Sequence, residues 1–338
     1  MAYEANVVGG DTFPAWRVEE SEGQFGFGLR QLRVEDLPDG ELLVRVRYSG
    51  VNYKDALAFR PDGNVVRAYP MVPGIDLAGT VEESRDERFR AGDEVLVTGY
   101  GLGVSHYGGY SRYARVPSSW AVRIPPGLGS REAMMLGTAG FTAALSVDAL
   151  RQAGVEPDQG PVLVTGASGG VGSAAVAILA KLGYEVTASS GKADMRDLLL
   201  RLGAARVISR MEWMPAADRP LGAQLWNGAV DCVGGGTLAA VLGTLRYGGA
   251  VAASGMTGGI ALNTSVFPFI LRGIRLIGID SVQAPMDMRV RIWERLAGPW
   301  KPDGLESLLE RIPLERVPEA VDTLLRGESR GRYVIELP

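Results

Sequence analysis

The stretch Pro161-Val162-Leu163-Val164-Thr165-Gly166-Ala167-Ser168-Gly169-Gly170-Val171-Gly172 decides the architecture of this 338-residue chain. An apolar, mostly β-branched run, Val162 to Val164, stops at a glycine-rich turn, and a helical pattern from Ser173 to Leu182 follows at once. Such a run suits a strand of a parallel sheet buried on both faces. Gly169 lets the main chain come close to a pyrophosphate, and Gly172 lets the helix approach the strand. The helix N-terminus adds unpaired N–H groups and a partial positive charge. The spacing departs from G-x-G-x-x-G at its first position, which is Ala167 with Gly166 just before it. With a strand in front, a helix behind and a second strand pattern at Glu185 to Ser189, the turn reads as a dinucleotide site formed by Ala167, Ser168, Gly169, Gly170, Val171 and Gly172.

The end of the second strand selects the cofactor. NAD-specific sites place Asp or Glu there, where the carboxylate accepts from the ribose 2′-hydroxyl and repels a 2′-phosphate. Here the strand ends in Ser189-Ser190-Gly191-Lys192, and the acid of the strand pattern, Glu185, stands at the opposite end. A hydroxyl, a glycine amide and an ammonium suit a dianionic phosphate. Arg210, after the third strand pattern Arg206 to Ser209, is placed to close over the same group. NADPH is expected rather than NADH, with Ser190, Gly191, Lys192 and Arg210 at its 2′-phosphate. The competing reading of Lys192 and Arg210 is a pair of solvated surface charges.

Composition narrows the class. Hydrophobic residues make up 46% of the chain, enough for two cores, and the net charge of −4 advertises no surface for nucleic acid or anionic membrane. A single cysteine, Cys232, excludes an internal disulfide and fits a reducing compartment. Met1 to Ala5 lack a basic region followed by an apolar stretch, and no later run of about 18 apolar residues is read, so a cytoplasmic protein is expected. The first third alternates short strand-like runs with turns, at Glu41 to Tyr48, Gly79 to Glu82, Asp93 to Thr98 and Tyr113 to Val116, the texture of a small β-rich barrel. A helical texture from Gly129 to Leu150 leads into strands near Val162, Glu185, Arg206, Gly228, Ala250 and Ile274 that alternate with helices, as in a doubly wound parallel sheet. The closing stretch ends in a strand, Gly331 to Leu337, returning to the first domain.

Several blocks carry a resemblance over nearly the whole length: Ser49 to Leu57 (SGVNYKDAL), Pro73 to Gly79 (PGIDLAG), Gly108 to Ser111 (GGYS), Gly137 to Ala143 (GTAGFTA), Pro268 to Arg272 (PFILR) and Gly278 to Ser281 (GIDS), with the turn itself. The chain resembles the zinc-free medium-chain dehydrogenase/reductases, and within them the quinone oxidoreductase-like, NADPH-dependent acrylyl-CoA reductase branch. The resemblance implies an α/β fold in which a GroES-like β-barrel (1–127 and 282–338) carries an inserted Rossmann domain (128–281). It further implies homodimers joined along an edge strand, for which Gly273 to Ile279 is the candidate. Residue by residue it implies cofactor contacts at Tyr53, Met256, Ile270, Ser281 and Gly327, although core packing explains Met256 and Ile270 equally well. It places the Asn52 to Asp55 block beside the nicotinamide.

The residues themselves exclude the metal of the zinc-dependent relatives, since one His, His106, and one Cys, set far apart in the chain, do not make a ligand set. Carbonyl polarisation then falls to hydrogen bonds. Conjugate reduction of an enoyl thioester fits: hydride arrives at the β-carbon, negative charge develops on the thioester oxygen, and a proton is added at the α-carbon. The catalytic candidates are Asn52 as carbonyl donor, Tyr53 against the cofactor, and Asp55 as an orienting or proton-relay group whose rival role is capping the following helix. His106 reads as a proton shuttle or as a loop-fixing hydrogen bonder. The expected substrate is a small acyl-CoA or enone, and CoA calls for basic partners such as Arg60, Arg67 or Arg272. A quinone or general enone reductase and a non-catalytic NADPH-binding protein are the two other readings.

Overall fold

The computed structural model describes residues 12–214 and 221–338, and the leader reading of Met1 to Ala5 falls outside them. Two compact units emerge, one formed by residues 1–138, 282–293 and 309–338 and the other by 139–281 and 294–308. The sequence division differs at two places: 128–138 group with the first unit, and 294–308, the end of a helix and the turns after it, group with the second.

The first unit opens with a hairpin, β1 (Phe13–Ser21) and β2 (Gln24–Leu32), which the sequence reading did not contain. Then come β3 (Leu42–Gly50), helix α1 (Tyr53–Ala58), β4 (Asp76–Ser84), β5 (Glu94–Thr98), β6 (Tyr113–Val116) and β7 (Val122–Arg123). The C-terminal segment adds β14 (Leu309–Pro313), helix α8 (Val317–Leu325) and β15 (Arg332–Glu336). The sheet order is β14-β15-β3-β4-β5-β7, with β6 on β3. β3 is its centre: it meets β4, β6 and β15, all antiparallel, and shifts register twice against β4. Irregularities of this kind bend a strand and increase its twist. The core inside holds Phe13, Trp16, Leu42, Val44, Leu77 and Ile335, and the Trp16 indole Nε1–H donates to the Leu314 carbonyl (2.7 Å), tying the first strand to the last segment.

The second unit is a parallel sheet of β8 (Val162–Thr165), β9 (Val186–Ser189), β10 (Arg206–Ile208), β11 (Trp226–Asp231), β12 (Leu245–Ala253) and β13 (Arg275–Gly278). Its order, β10-β9-β8-β11-β12-β13, is the 3-2-1-4-5-6 arrangement of a doubly wound fold, with the switch point between β8 and β11. Helices α3 (Gly170–Lys181), α4 (Arg196–Arg201), α5 (Gly235–Thr244) and α6 (Phe267–Arg272) join the strands. β8 and β9 are buried at every position, as expected of strands covered on both faces.

Helix α2 (Ser130–Gln152) corrects the reading that no long apolar run occurs. By length and composition it could cross a membrane, yet 89% of its apolar window is buried inside the protein, and its backbone breaks at Gly137 (φ +51°). Helix α7 (Met286–Ala297) buries Arg289, Ile292, Trp293 and Leu296, the i, i+3, i+4, i+7 stripe of an amphipathic helix.

Gly172 shows why the turn needs a glycine. A Cβ there would lie 2.7 Å from the Ala167 Cα and collide with the Gly166 carbonyl oxygen, forcing α3 off the end of β8. Gly191 has open space around its Cβ position. Urea unfolding should therefore show Gly172→Ala to be destabilised by about 2–3 kcal/mol, while Gly191→Ala stays within about 1 kcal/mol of the parent. Equal effects would contradict the packing role of Gly172.

Candidate active site

In the first unit the Asn52 to Asp55 block forms a corner between β3 and α1. Asn52 precedes the helix, and the Asp55 carboxylate reaches back to accept from the Asn52 main-chain N–H (2.8 Å) and its side-chain Nδ2 (3.1 Å), while its other oxygen accepts from the Ile75 N–H (2.8 Å). That is the reciprocal half of a capping box. The helix starts at Tyr53 and Asp55 is its third residue, so of the two roles considered for Asp55 the capping one has a direct geometric basis, and it includes orienting Asn52. Both carboxylate oxygens receive N–H groups, and the side chain is buried. Burial first, and the negative Asp76 nearby second, push its carboxyl up to about 6.

Asn52 is the main correction. Its Nδ2 donates to Asp55 and also to Asp76 Oδ2 (2.9 Å), and its Oδ1 accepts from Arg332 Nη1 (2.6 Å). The carboxylates on one side and the guanidinium on the other fix which way the amide points. Both of its N–H bonds are thus engaged, and the carbonyl-donor role expected of Asn52 gives way to a positioning role. Tyr53, the first residue of α1, is 48% exposed, and its hydroxyl has no partner among the described residues.

Behind this corner lies a group the sequence reading missed. Asp76, at the start of β4 and fully buried, pairs with Arg332 Nη2 (2.7 Å) at the start of β15. It also accepts from the Thr138 N–H (3.0 Å) and, through its other oxygen, from the Thr138 hydroxyl. Two glycines make room for the pair. A Cβ on Gly50 or on Gly137 would run into the Arg332 guanidinium, and each would also meet Asp76 Oδ2. At Gly137 the positive φ adds a second reason for glycine. Asp76, Gly137 and Thr138 lie in blocks that carry the resemblance, yet only long-range pairing shows what they do. His106 takes the loop-fixing role: Nε2–H donates to the Arg115 carbonyl (2.7 Å) and the ring meets Trp120 edge-on.

In the second unit the C-terminal ends of the strands carry the cofactor candidates. Helix α3 starts after Gly169 with no side-chain cap, leaving its first N–H groups to an external acceptor. A Cβ on Gly169 would touch protein only at the Gly166 oxygen, at 3.4 Å, so the glycine keeps an open face rather than a packed one. Ala167 is buried at the turn. At the adjoining ends of β9 and β10, the Ser190 N–H donates to the Ile208 carbonyl (3.0 Å) and the Ser190 hydroxyl accepts from the Lys192 N–H (3.0 Å). Arg210 starts the turn after β10, exposed and without an ion pair among the described residues. Ser190, Gly191, Lys192 and Arg210 therefore share one end of the sheet, and Glu185 stands at the other, where its carbonyl accepts from Val162. A cavity of about 480 Å³ opens at the ends of β12 and β13, lined by Ser254, Met256, Ile279 and Asp280 among others. Met256 and Ile270 are 70% and 68% exposed, which removes core packing as their explanation. Ser281 directly follows the lining residue Asp280. Gly327, in the first unit, has φ +71° just past α8 and serves as the left-handed residue ending that helix.

The sequence reading also missed Asp231 at the switch point. Its carboxylate accepts from the Thr165 hydroxyl (2.6 Å) and the Gly234 N–H (2.7 Å), tying β8 to β11, and burial raises its pKa. The Cys232 thiol, half-buried beside it, is pushed far up by desolvation first and by the Asp231 charge second.

An uncapped helix N-terminus at a switch point, a hydroxyl and two cations at the adjoining ends of β9 and β10, and a separate β unit with a rigid polar corner define a dinucleotide-dependent oxidoreductase of two-unit architecture. Known proteins agree. Residues 38–126 match the alcohol dehydrogenase GroES-like domain, and 170–297 match the domain described as zinc-binding dehydrogenase. The chain is 50% identical to the acrylyl-CoA reductase AcuI of Ruegeria pomeroyi, over 94% of its own length and 97% of the relative's. It is 49% identical to the putative quinone oxidoreductase YhfP of Bacillus subtilis, over 96% and 99%. Crystal structures of Escherichia coli YhdH with NADPH (TM-score 0.92, 46% identity, 96% of this chain and 100% of that one) and of B. subtilis YhfP with NAD (0.94, 49%, 96% and 99%) superpose along nearly the whole chain. The chain belongs to the medium-chain dehydrogenase/reductase family, and with one His and one Cys it falls in the branch without a zinc-binding group.

Asp55 makes the stability of the corner depend on pH. Its carboxyl titrates near 6 when folded and near 4 when unfolded, so between these values the folded state holds the extra proton. Its contribution is greatest below pH about 4 and is lost as pH rises through 6, by about 3 kcal/mol in all. Unfolding free energies of the parent minus those of Asp55→Asn, measured from pH 4 to 7, should fall by up to that amount. A flat or rising difference would contradict the raised pKa.

Proposed function

We propose that this protein is a cytoplasmic, homodimeric, NADPH-dependent reductase of the activated C=C bond of short enoyl thioesters, converting acrylyl-CoA to propionyl-CoA without a metal. The observation that carries the reading is the half-identity to an acrylyl-CoA reductase across almost the whole of both chains. NADPH fits the residues present: Gly169, Gly170, Val171 and Gly172 would hold the pyrophosphate at an open helix end, with Ala167 and Ser168 shaping the turn, and Ser190, Gly191, Lys192 and Arg210 would hold the 2′-phosphate. Both cofactors occur in structures of relatives, so the preference rests on the lack of an acid at the last residue of β9, Ser189, and on the cations Lys192 and Arg210 that follow β9 and β10. Met256, Ile270, Ser281, Gly327 and Tyr53 are further proposed contacts. When bound, NADPH supplies the hydride that reduces the double bond.

The chain's own residues have the remaining tasks. Asp55, Asp76 and Arg332 hold Asn52 and the start of α1, so Tyr53 projects from a fixed base. With the Asn52 amide engaged, the Tyr53 hydroxyl is the donor we assign to the substrate oxygen. For the dimer, β13 is an edge strand flanked by exposed Val266, Phe267, Ile270, Leu271 and Leu276, an apolar strip beside unpaired strand groups.

A quinone substrate is the second reading, favoured by the name of the B. subtilis relative. Steady-state assays decide: kcat/KM for acrylyl-CoA should exceed that for a simple quinone by at least tenfold, and Tyr53→Phe, which removes only the hydroxyl and keeps the ring proposed to meet the cofactor, should lower kcat by about 10². Acrylyl-CoA turned over no better than the quinone would overturn the thioester reading. For the cofactor, Lys192→Glu should weaken NADPH binding at least tenfold and leave NADH nearly unaffected, whereas equal affinities of the parent for NADPH and NADH would remove the 2′-phosphate assignment.

A further inference from the structure

An acyl-CoA carries a phosphorylated nucleotide that needs cations away from the reacting carbons. Of the three arginines the sequence offers, Arg60 is gripped by Asp62 through Nε (2.8 Å) and Nη2 (2.9 Å), and Arg272 donates to the carbonyls of Gly243, Leu245 and Gly222. Arg67 differs. Its main-chain N–H is anchored on the Val104 carbonyl (2.9 Å), while its guanidinium has no hydrogen bond or ion pair among the described residues.

Arg67 lines a cavity of about 380 Å³ lying wholly within the first unit, together with Lys54, Tyr100, Ser105, Trp120 and Gln283 among others. The lining holds two cations, the hydroxyls of Tyr100 and Ser105 and an amide, and no carboxylate. Its wall is rigid. The Tyr100 ring stacks on Trp120 (5.6 Å, 13°), its hydroxyl donates to the Ala284 carbonyl (3.2 Å) and its N–H to Val282 (3.0 Å). Arg289, buried behind, places its guanidinium 4.2 Å from the Tyr100 ring centre and donates to the carbonyls of Thr98, Val282 and Ala284. A third positive charge therefore stands behind a wall that already faces two. Ligand cavities run from about 300 to 1,000 Å³, so this one suits part of a large ligand rather than a whole coenzyme A.

We propose that this cavity receives the phosphate groups at the nucleotide end of the acyl-CoA substrate, with Arg67 and Lys54 as their cationic partners. The assignment deepens the thioester reading and rests on it. It separates the substrate's handle from the cofactor's phosphates, which fall to residues of the second unit.

The test compares acrylyl-CoA, its dephospho-CoA analogue and acrylyl-pantetheine, which lacks every phosphate of the nucleotide, on the intact enzyme and on Arg67→Ala. The cavity predicts that Arg67→Ala raises KM for acrylyl-CoA at least tenfold, moves KM for acrylyl-pantetheine and for NADPH less than twofold, and that Arg67→Lys recovers part of the loss. An effect on acrylyl-CoA that persists with dephospho-CoA assigns the diphosphate, and one that vanishes assigns the 3′-phosphate; either supports the site. Equal shifts for the phosphorylated and phosphate-free thioesters, or no shift, would overturn it. If the parent enzyme reduced a quinone and neither thioester, the thioester reading itself would fall, and calorimetry with coenzyme A would still judge the cavity: binding at least tenfold weaker in Arg67→Ala supports it, and equal binding or none by the parent overturns it.

Discussion

The buried pair of Asp76 and Arg332 is the constraint on which the first unit's site depends. Two charges removed from water are costly unless their remaining donors and acceptors are met. Here Asp76 takes Asn52, Thr138 and Arg332, and Arg332 gives its two Nη groups to Asn52 and Asp76 while its buried Nε is left without a partner among the described residues, so the pair is satisfied at every group but one. The starts of β4, α1 and β15 are thereby gathered around one carboxylate, with Gly50 and Gly137 bare so that the guanidinium fits. The corner that results is stiff where it is buried and exposed only at Tyr53. Such an arrangement suits a site that must present one hydroxyl in a fixed place.

The second unit follows a different economy. Its inner strands β8 and β9 are covered on both faces, so they read as continuous apolar runs, and the unit's chemistry collects at the strand ends. Thr165 and Asp231 lock the switch point, Gly172 sets the helix close to the turn, and the open main chain at Gly169 and Gly191 leaves access for phosphates. Glycines thus serve two purposes here, close packing at 172 and an open face at 169, and only the space around each position tells them apart.

This difference explains what was legible in the sequence. All six parallel strands were readable, the central ones because burial on both faces leaves continuous apolar runs and the edge ones by their alternation with helices, and the residues proposed for NADPH could be named because they follow those strands directly. The hairpin β1–β2 was not, since β2 is glycine-rich and mostly exposed and carries little apolar alternation. The break at Gly137 lay hidden inside a run of good helix formers. Asn52 could be named as a candidate, but the bonds that engage its amide could not be read, because that amide is oriented by Arg332, 280 residues away, and by Asp76 in another strand. Pairings at that separation have no local signature. The Arg67 cavity was half visible: the cation could be named, whereas the ties that remove Arg60 and Arg272 from contention exist only in three dimensions.

The most direct measurement of the central constraint is a double-mutant cycle on Asp76→Asn and Arg332→Leu, read by urea unfolding. Each single change leaves a buried partner uncompensated and should cost about 3–5 kcal/mol, and the two together should cost less than their sum by at least about 2 kcal/mol. Additivity within about 0.5 kcal/mol would show that the pair does not act as a unit and that the corner is held by something else.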